Sequence, residues 1–255
     1  MQAKPQPLYP PLNTSGLNKR VVSSIIPYMS RFLFGLDTFL SVAQASSLLR
    51  LMFFRQVQQH GDNFSYIIAD DTTREAAVVD SSFNAGEITR IIKTENLKLK
   101  YIITTHGHSD HTTGNAELRS LFKAVTVAHK LSRLNPDIKV DEGDIFHIGN
   151  IPVQIIYTPG HTLDGICLLV DNQKLLTGDT LFIGECGRTD LPGGNSKNMY
   201  NSLFNKILKL DDNVEVYPGH DYGSKPFSTI GEERRSNYTL QPRTLPEFIE
   251  FMNQP

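Results

Sequence analysis

THGHSDH, residues 105–111, places three histidines and one aspartate within seven positions. A lone histidine is usually a surface or satisfied core residue, and His60, His129 and His147 are read that way. Metal-capable side chains at this density need another account. The segment follows the apolar run YIITT (101–105) and leads toward AELRSLF (116–122), which has helical spacing. A strand-to-helix turn sets side chains at the edge of a sheet. Gly107 is read as the residue that lets the backbone turn tightly enough for His106 and His108 to point inward together. Asp110 and His111 then project from the next turn.

Working outward, the remaining metal-capable residues also sit where strands end. His161 follows IPVQIIYT (151–158) through the turn PG, Asp179 closes KLLTG (174–178), and His220 closes VEVYPG (214–219). Further strand-like runs are MFFRQV (52–57), SYIIA (65–69), EAAVVD (75–80), AVTVAH (124–129) and GICLLVD (165–171). Helical spacing marks ITRIIKTENL (88–97) and KNMYNSLFNKILKL (197–210). Strands mixed with helices predict a layered α/β fold, in which loops at the strand ends converge on one crevice.

Composition excludes some classes. With 255 residues and a formal net charge of −2, the chain lacks the basic surplus of a nucleic-acid binder. Cys167 and Cys186 are too few for a disulfide scaffold and are read as reduced thiols of an intracellular protein. No uninterrupted apolar run reaches the ~20 residues of a membrane span. Residues 1–51 differ from the rest. Asp37 is their single acid, against Lys4, Lys19, Arg20, Arg31 and Arg50, and Ser30 to Leu51 has an amphipathic pattern. This extension is read as disordered or as an organelle transit segment, which leaves a cytoplasmic or a mitochondrial-type matrix location. Residues 52–255 are expected to form the catalytic domain.

HGHSDH, followed in order by PGHT (159–162), TGDT (177–180) and PGH (218–220), strongly resembles the metallo-β-lactamase superfamily over about residues 53–240. GECGRTDLPGG (184–194) and PGHDYGSKPFSTIGEERRSN (218–237) are similar to its glyoxalase II-like hydrolases and persulfide dioxygenases. The resemblance implies a four-layer αββα sandwich of two mixed sheets, with the metal site at one edge. It implies that His106, His108 and His161 hold a first metal, that Asp110, His111 and His220 hold a second, and that Asp179 bridges them.

Imidazole and carboxylate donors suit zinc, iron or manganese, and the absence of cysteine ligands argues against a closed structural zinc site. Water on such an ion ionises near neutral pH, giving a hydroxide nucleophile that Asp110 could orient. A thioester expels a thiolate and needs little protonation help, so a hydroxyacylglutathione-type thioesterase with two Zn2+ is the first expectation. The alternative uses His106, His161 and Asp179 as a two-histidine, one-carboxylate triad for a single Fe2+, oxidising glutathione persulfide. In either case Arg188 is expected near substrate with Asp190 as its partner, and the substrate is a small thiol conjugate. The glyoxalase II pattern departs in one respect. Those enzymes carry an extra helical C-terminal region that helps bind glutathione, whereas Tyr222, Lys225, Arg234 and Arg235 are what this chain offers an anion. A non-catalytic metal protein is disfavoured by the complete ligand set, β-lactam hydrolysis by the GRTD region, and nucleic-acid hydrolysis by the missing basic surface. A homodimer is the default assembly.

Overall fold

The computed structural model describes residues 51–254. The extension expected over residues 1–51 lies outside the described residues except for Leu51. Twelve strands and six α-helices are described. The first sheet contains β1 (Met52–Gln58), β2 (Phe64–Asp70), β3 (Glu75–Val79), β4 (Lys98–Ile103), β5 (Val125–His129) and β6 (Ile138–Val140), in that spatial order. Its first two pairings are antiparallel and the rest parallel. The second sheet runs β12 (Ser228–Thr229), β11 (Glu215–Pro218), β10 (Lys174–Gly178), β9 (Ile166–Val170), β8 (Ile151–Tyr157), β7 (Ile145–Ile148). Within it β10 and β11 are parallel and every other pair antiparallel.

Side-chain alternation along the strands builds the layers. Phe64, Tyr66 and Ile68 of β2 meet Ile166, Leu168 and Val170 of β9 in the core between the sheets. The intervening Ile67 and Ala69 pack instead with Ile88, Ile91 and Ile92 of α1 (Ala85–Thr94) and Leu118 of α3 (Asn115–Phe122). On the other side, Cys167 and Leu169 join Met199 and Leu203 of α4 (Ser196–Asn205), Ile230 of α5 (Ile230–Ser236) and Phe248 of α6 (Leu245–Met252). Helix, sheet, sheet, helix is the predicted order. α2 (Ser109–Thr112) is a single turn inside the histidine segment.

Two expectations need adjustment. The helix predicted over 197–210 stops at Asn205, and a separate 3-10 turn covers Ile207–Lys209. Gly107 does not adopt a positive φ. Its requirement is space, since a Cβ there would lie 3.2 Å from Asp164 Oδ2. The cysteines are free, and burial pushes the Cys167 thiol up to about 11 and Cys186 to about 12, which makes both poor nucleophiles. Among the described residues no helix is long and apolar enough to cross a membrane.

Candidate metal centre

All the predicted ligands come together, and both sheets supply them. The loop after β4 delivers His106 and His108, and α2 delivers Asp110 and His111. The loops after β8, β10 and β11 deliver His161, Asp179 and His220. Two groups form, His106–His108–His161–Asp179 and Asp110–His111–His220, with donor atoms within 4.8 Å of one another in each. In the first, His108 Nδ1 lies 3.0 Å from both His106 Nε2 and His161 Nε2. In the second, His111 Nε2 lies 3.2 Å from His220 Nε2 and 3.4 Å from Asp110 Oδ2. Asp179 stands between them. Its Oδ2 is 3.5 Å from His161 Nε2 and 3.3 Å from His220 Nε2, and its Oδ1 is 3.3 Å from His111 Nε2.

The outer ring nitrogens are held, and that fixes where the inner ones point. His111 Nδ1 faces Asp80 Oδ2 at 3.1 Å, His161 Nδ1 faces the Arg188 carbonyl at 2.9 Å, and His220 Nδ1 faces Asp62 Oδ1 at 3.0 Å. His106 Nδ1 lies 3.2 Å from Thr105 Oγ1. A nitrogen that donates to an outer acceptor leaves its partner nitrogen with a lone pair, here aimed at the centre. Asp80 also accepts from Thr105 N and Thr105 Oγ1 at 2.8 and 2.7 Å, so it braces two neighbouring ligand segments. It does so from a left-handed backbone, φ +52°, which few aspartates adopt without a local reason. Asn63 donates to Asp110 Oδ2 at 3.0 Å.

The donor set fits a metal ion. Asp179 Oδ1 is buried and makes no hydrogen bond, with His111 Nε2 3.3 Å away, which leaves it a lone pair for a cation. Close packing keeps that carboxylate where it is. A Cβ on Gly219 would come within 2.4 Å of Asp179 Oδ1 and 2.9 Å of His111 Cε1. The electrostatics agree. Burial disfavours the charged form of His111, yet Asp179 and Asp80 hold its pKa well above the ordinary imidazole value. Burial likewise opposes protonation of His220, but Asp110 and Asp179 raise it to about 10. Burial would raise the Asp179 carboxyl, and His106 and His111 hold it well below the carboxylate range. A field that makes imidazoles this basic is one that attracts cations. His106 and His108 of the first group differ, because burial depresses both.

Arg188 and Asp190 form a bidentate pair, 2.7 and 2.6 Å, with both side chains more than half exposed. It is the Arg188 backbone carbonyl that reaches the centre. Lys225 is paired with Glu232 and Arg234 with Asp212, while the Tyr222 ring stacks on His220 at 4.9 Å. Asp62, Asn63 and Asp80 went unremarked in the sequence. Asp62 and Asn63 sit in the polar turn before β2 and Asp80 just after β3, places where polar residues normally shape turns. Thr162, whose buried Oγ1 has no partner, also went unremarked.

With this architecture the chain belongs to the metallo-beta-lactamase superfamily, whose description matches residues 60–220. Among individual proteins it is similar to the mitochondrial persulfide dioxygenase ETHE1 of Mus musculus, 36% identical over 219 residues, which span 84% of this chain and 83% of that one. It is also similar to the hydroxyacylglutathione hydrolase of Pelagibacter ubique (strain HTCC1062), 35% identical over 195 residues, 74% of this chain and 80% of the other. The crystal structure of ETHE1 from Myxococcus xanthus superposes with a TM-score of 0.76 at 33% identity, covering 80% of this chain and 92% of that one.

Proposed function

We propose that the protein is a two-metal hydrolase that cleaves thioesters of small thiol conjugates. The observation that carries this reading is the position of Asp179, whose carboxylate faces His161 of the first donor group and His111 and His220 of the second. Asp110, His111 and His220 offer a further donor set beside the first. Zinc-class ions bound there supply Lewis acidity to a carbonyl and lower the pKa of water to ~7. The chain's own residues do the positioning. Asp110, fixed by Asn63, has an oxygen 3.4 Å from both His111 Nε2 and His220 Nε2 and can orient the water. The leaving thiolate, with a conjugate-acid pKa of ~8.5, departs without a general acid. Arg188 and Asp190 hold the loop that lends His161 its carbonyl acceptor. Residues 1–51 are read as a segment outside the catalytic domain.

A second reading has its own support. His106, His161 and Asp179 form a two-histidine, one-carboxylate set, and similar curated proteins are named persulfide dioxygenases. Metal analysis of protein purified without added metal, paired with two assays, separates the readings. Two zinc-class ions per chain, thiol release from an acyl-glutathione and no oxygen uptake with glutathione persulfide are expected. Near-stoichiometric single iron with oxygen uptake overturns the hydrolase reading.

A further inference from the structure

Beside His108 lies a cavity of about 250 Å3. Leu131 and Leu134, from the loop after β5, line one part of it and Leu163, from the loop after β8, another. These leucines are 45%, 39% and 54% exposed, a convergence of apolar side chains on one hollow rather than scattered surface positions. Arg133 and Asp164 also line it and contribute opposite charges, so the cavity carries no net formal charge.

One stacked pair ties the two loops. His129, at the end of β5, is fully buried, and its Nδ1 accepts from Leu131 N at 3.3 Å while its Nε2 faces Asp141 at 3.4 Å. Its ring lies on Tyr157, at the end of β8, with centroids 4.1 Å apart and planes within 7°. The Tyr157 hydroxyl donates to the Leu163 carbonyl at 2.8 Å. The loops bearing the leucines are thus set in place before any ligand arrives.

We propose that this cavity takes the acyl chain of the thioester, and that preferred substrates carry an apolar acyl group well beyond two carbons. The proposal rests on the thioesterase reading. The thioester carbon must sit at the donor groups, and His108 belongs both to the first donor group and to the cavity lining. One substituent of that carbon then enters the hollow and the other faces out. A peptide- or nucleotide-like thiol carrier is rich in amides and charges. Arg133 and Asp164 can meet a few charges, but the three leucines leave amides beside them without partners. A hydrocarbon chain has nothing to satisfy and gains from burial.

The test uses the metal-loaded full chain and acyl-glutathiones from acetyl to octanoyl, following thiol release. kcat/KM is expected to rise about three- to fourfold per added methylene until the cavity is filled. Leu134→Ala should lower the octanoyl-to-acetyl ratio by about tenfold. Tyr157→Phe, which keeps the ring but loses the bond to Leu163, should lower the same ratio through KM more than kcat. Cleavage with a flat or falling chain-length series overturns the cavity proposal and leaves the thioesterase reading standing. No cleavage of any thioester overturns that reading. Octanoate titration by calorimetry then decides the cavity separately. Binding weakened by Leu134→Ala supports it, and absent or indifferent binding overturns it.

Discussion

Replacing Asp80 with asparagine keeps the shape of the side chain and removes its charge, and the geometry allows no satisfactory arrangement of the amide. The carboxylate takes Thr105 N on Oδ1, and Thr105 Oγ1 and His111 Nδ1 on Oδ2. If the amide oxygen faces Thr105 N, the NH2 meets His111 Nδ1 and favours the tautomer protonated on Nε2, the atom that should carry a lone pair. If the amide is turned, two donors face each other at Thr105 N, which costs ~1–3 kcal/mol in a site this buried. Outer hydrogen-bond partners of metal-binding histidines are worth roughly 10–100-fold in metal affinity. Asp80→Asn should therefore weaken the ion held by Asp110, His111 and His220 by about that factor. The first group, which meets Asp80 only through Thr105, should lose less. Competitive zinc titration against a chromophoric chelator resolves the two steps. The metal-free melting temperature should also fall, by about 2–4 °C per kcal/mol for a domain of this size. Two unchanged binding steps in a correctly folded variant would refute the bracing role assigned to Asp80.

Two other outcomes are expected. Gly219→Ala places a methyl against Asp179 Oδ1 and His111, so bound metal per chain should drop and stability should fall by ~1–3 kcal/mol, measured by metal content and thermal melting. Asp70 is buried, and burial would raise its pKa, but hydrogen bonds from Asn150 and Thr72 lower it. A lowered folded pKa means that its stabilisation is complete above the ordinary carboxylate value of ~3.9 and is lost as pH falls through the folded value. Asp70→Asn should thus cost ~1.5–3 kcal/mol near neutral pH, with the gap to the parent closing in acid. A gap in denaturant stability that stays constant down to pH 2 would contradict this.

The ligands were legible because histidine and aspartate were concentrated beside glycine turns at the ends of strongly apolar strands. The long strands were legible for a similar reason. β9 is apolar throughout, and in β2 only Ser65 and Asp70 interrupt the apolar run. What stayed hidden has no local pattern. Asp62 and Asp80 acquire their roles only when folding brings them to His220 and His111, 158 and 31 residues away. His129 received a bland reading, and its stacking on Tyr157 depends on two strands from different sheets. β6 and β12, with three and two residues, are too short to show a period. The last two helices were missed for a different reason. Thr229–Glu232 and Thr244–Glu247 are capping boxes, a local signal at the helix start that apolar periodicity does not show.

Each donor group draws on both halves of the sandwich. His106, His108, Asp110 and His111 come from beside the first sheet, and His161, Asp179 and His220 from beside the second. A bridge between Asn63 and His220, and a hydrogen bond from Phe64 N to Gly219 O, join the start of the domain to its last ligand loop. Neither half can grip an ion alone with a full set of donors. Capture of an ion would therefore wait on a finished molecule, and a seated ion would act as a rivet through both layers, slowing their separation as well as serving the chemistry.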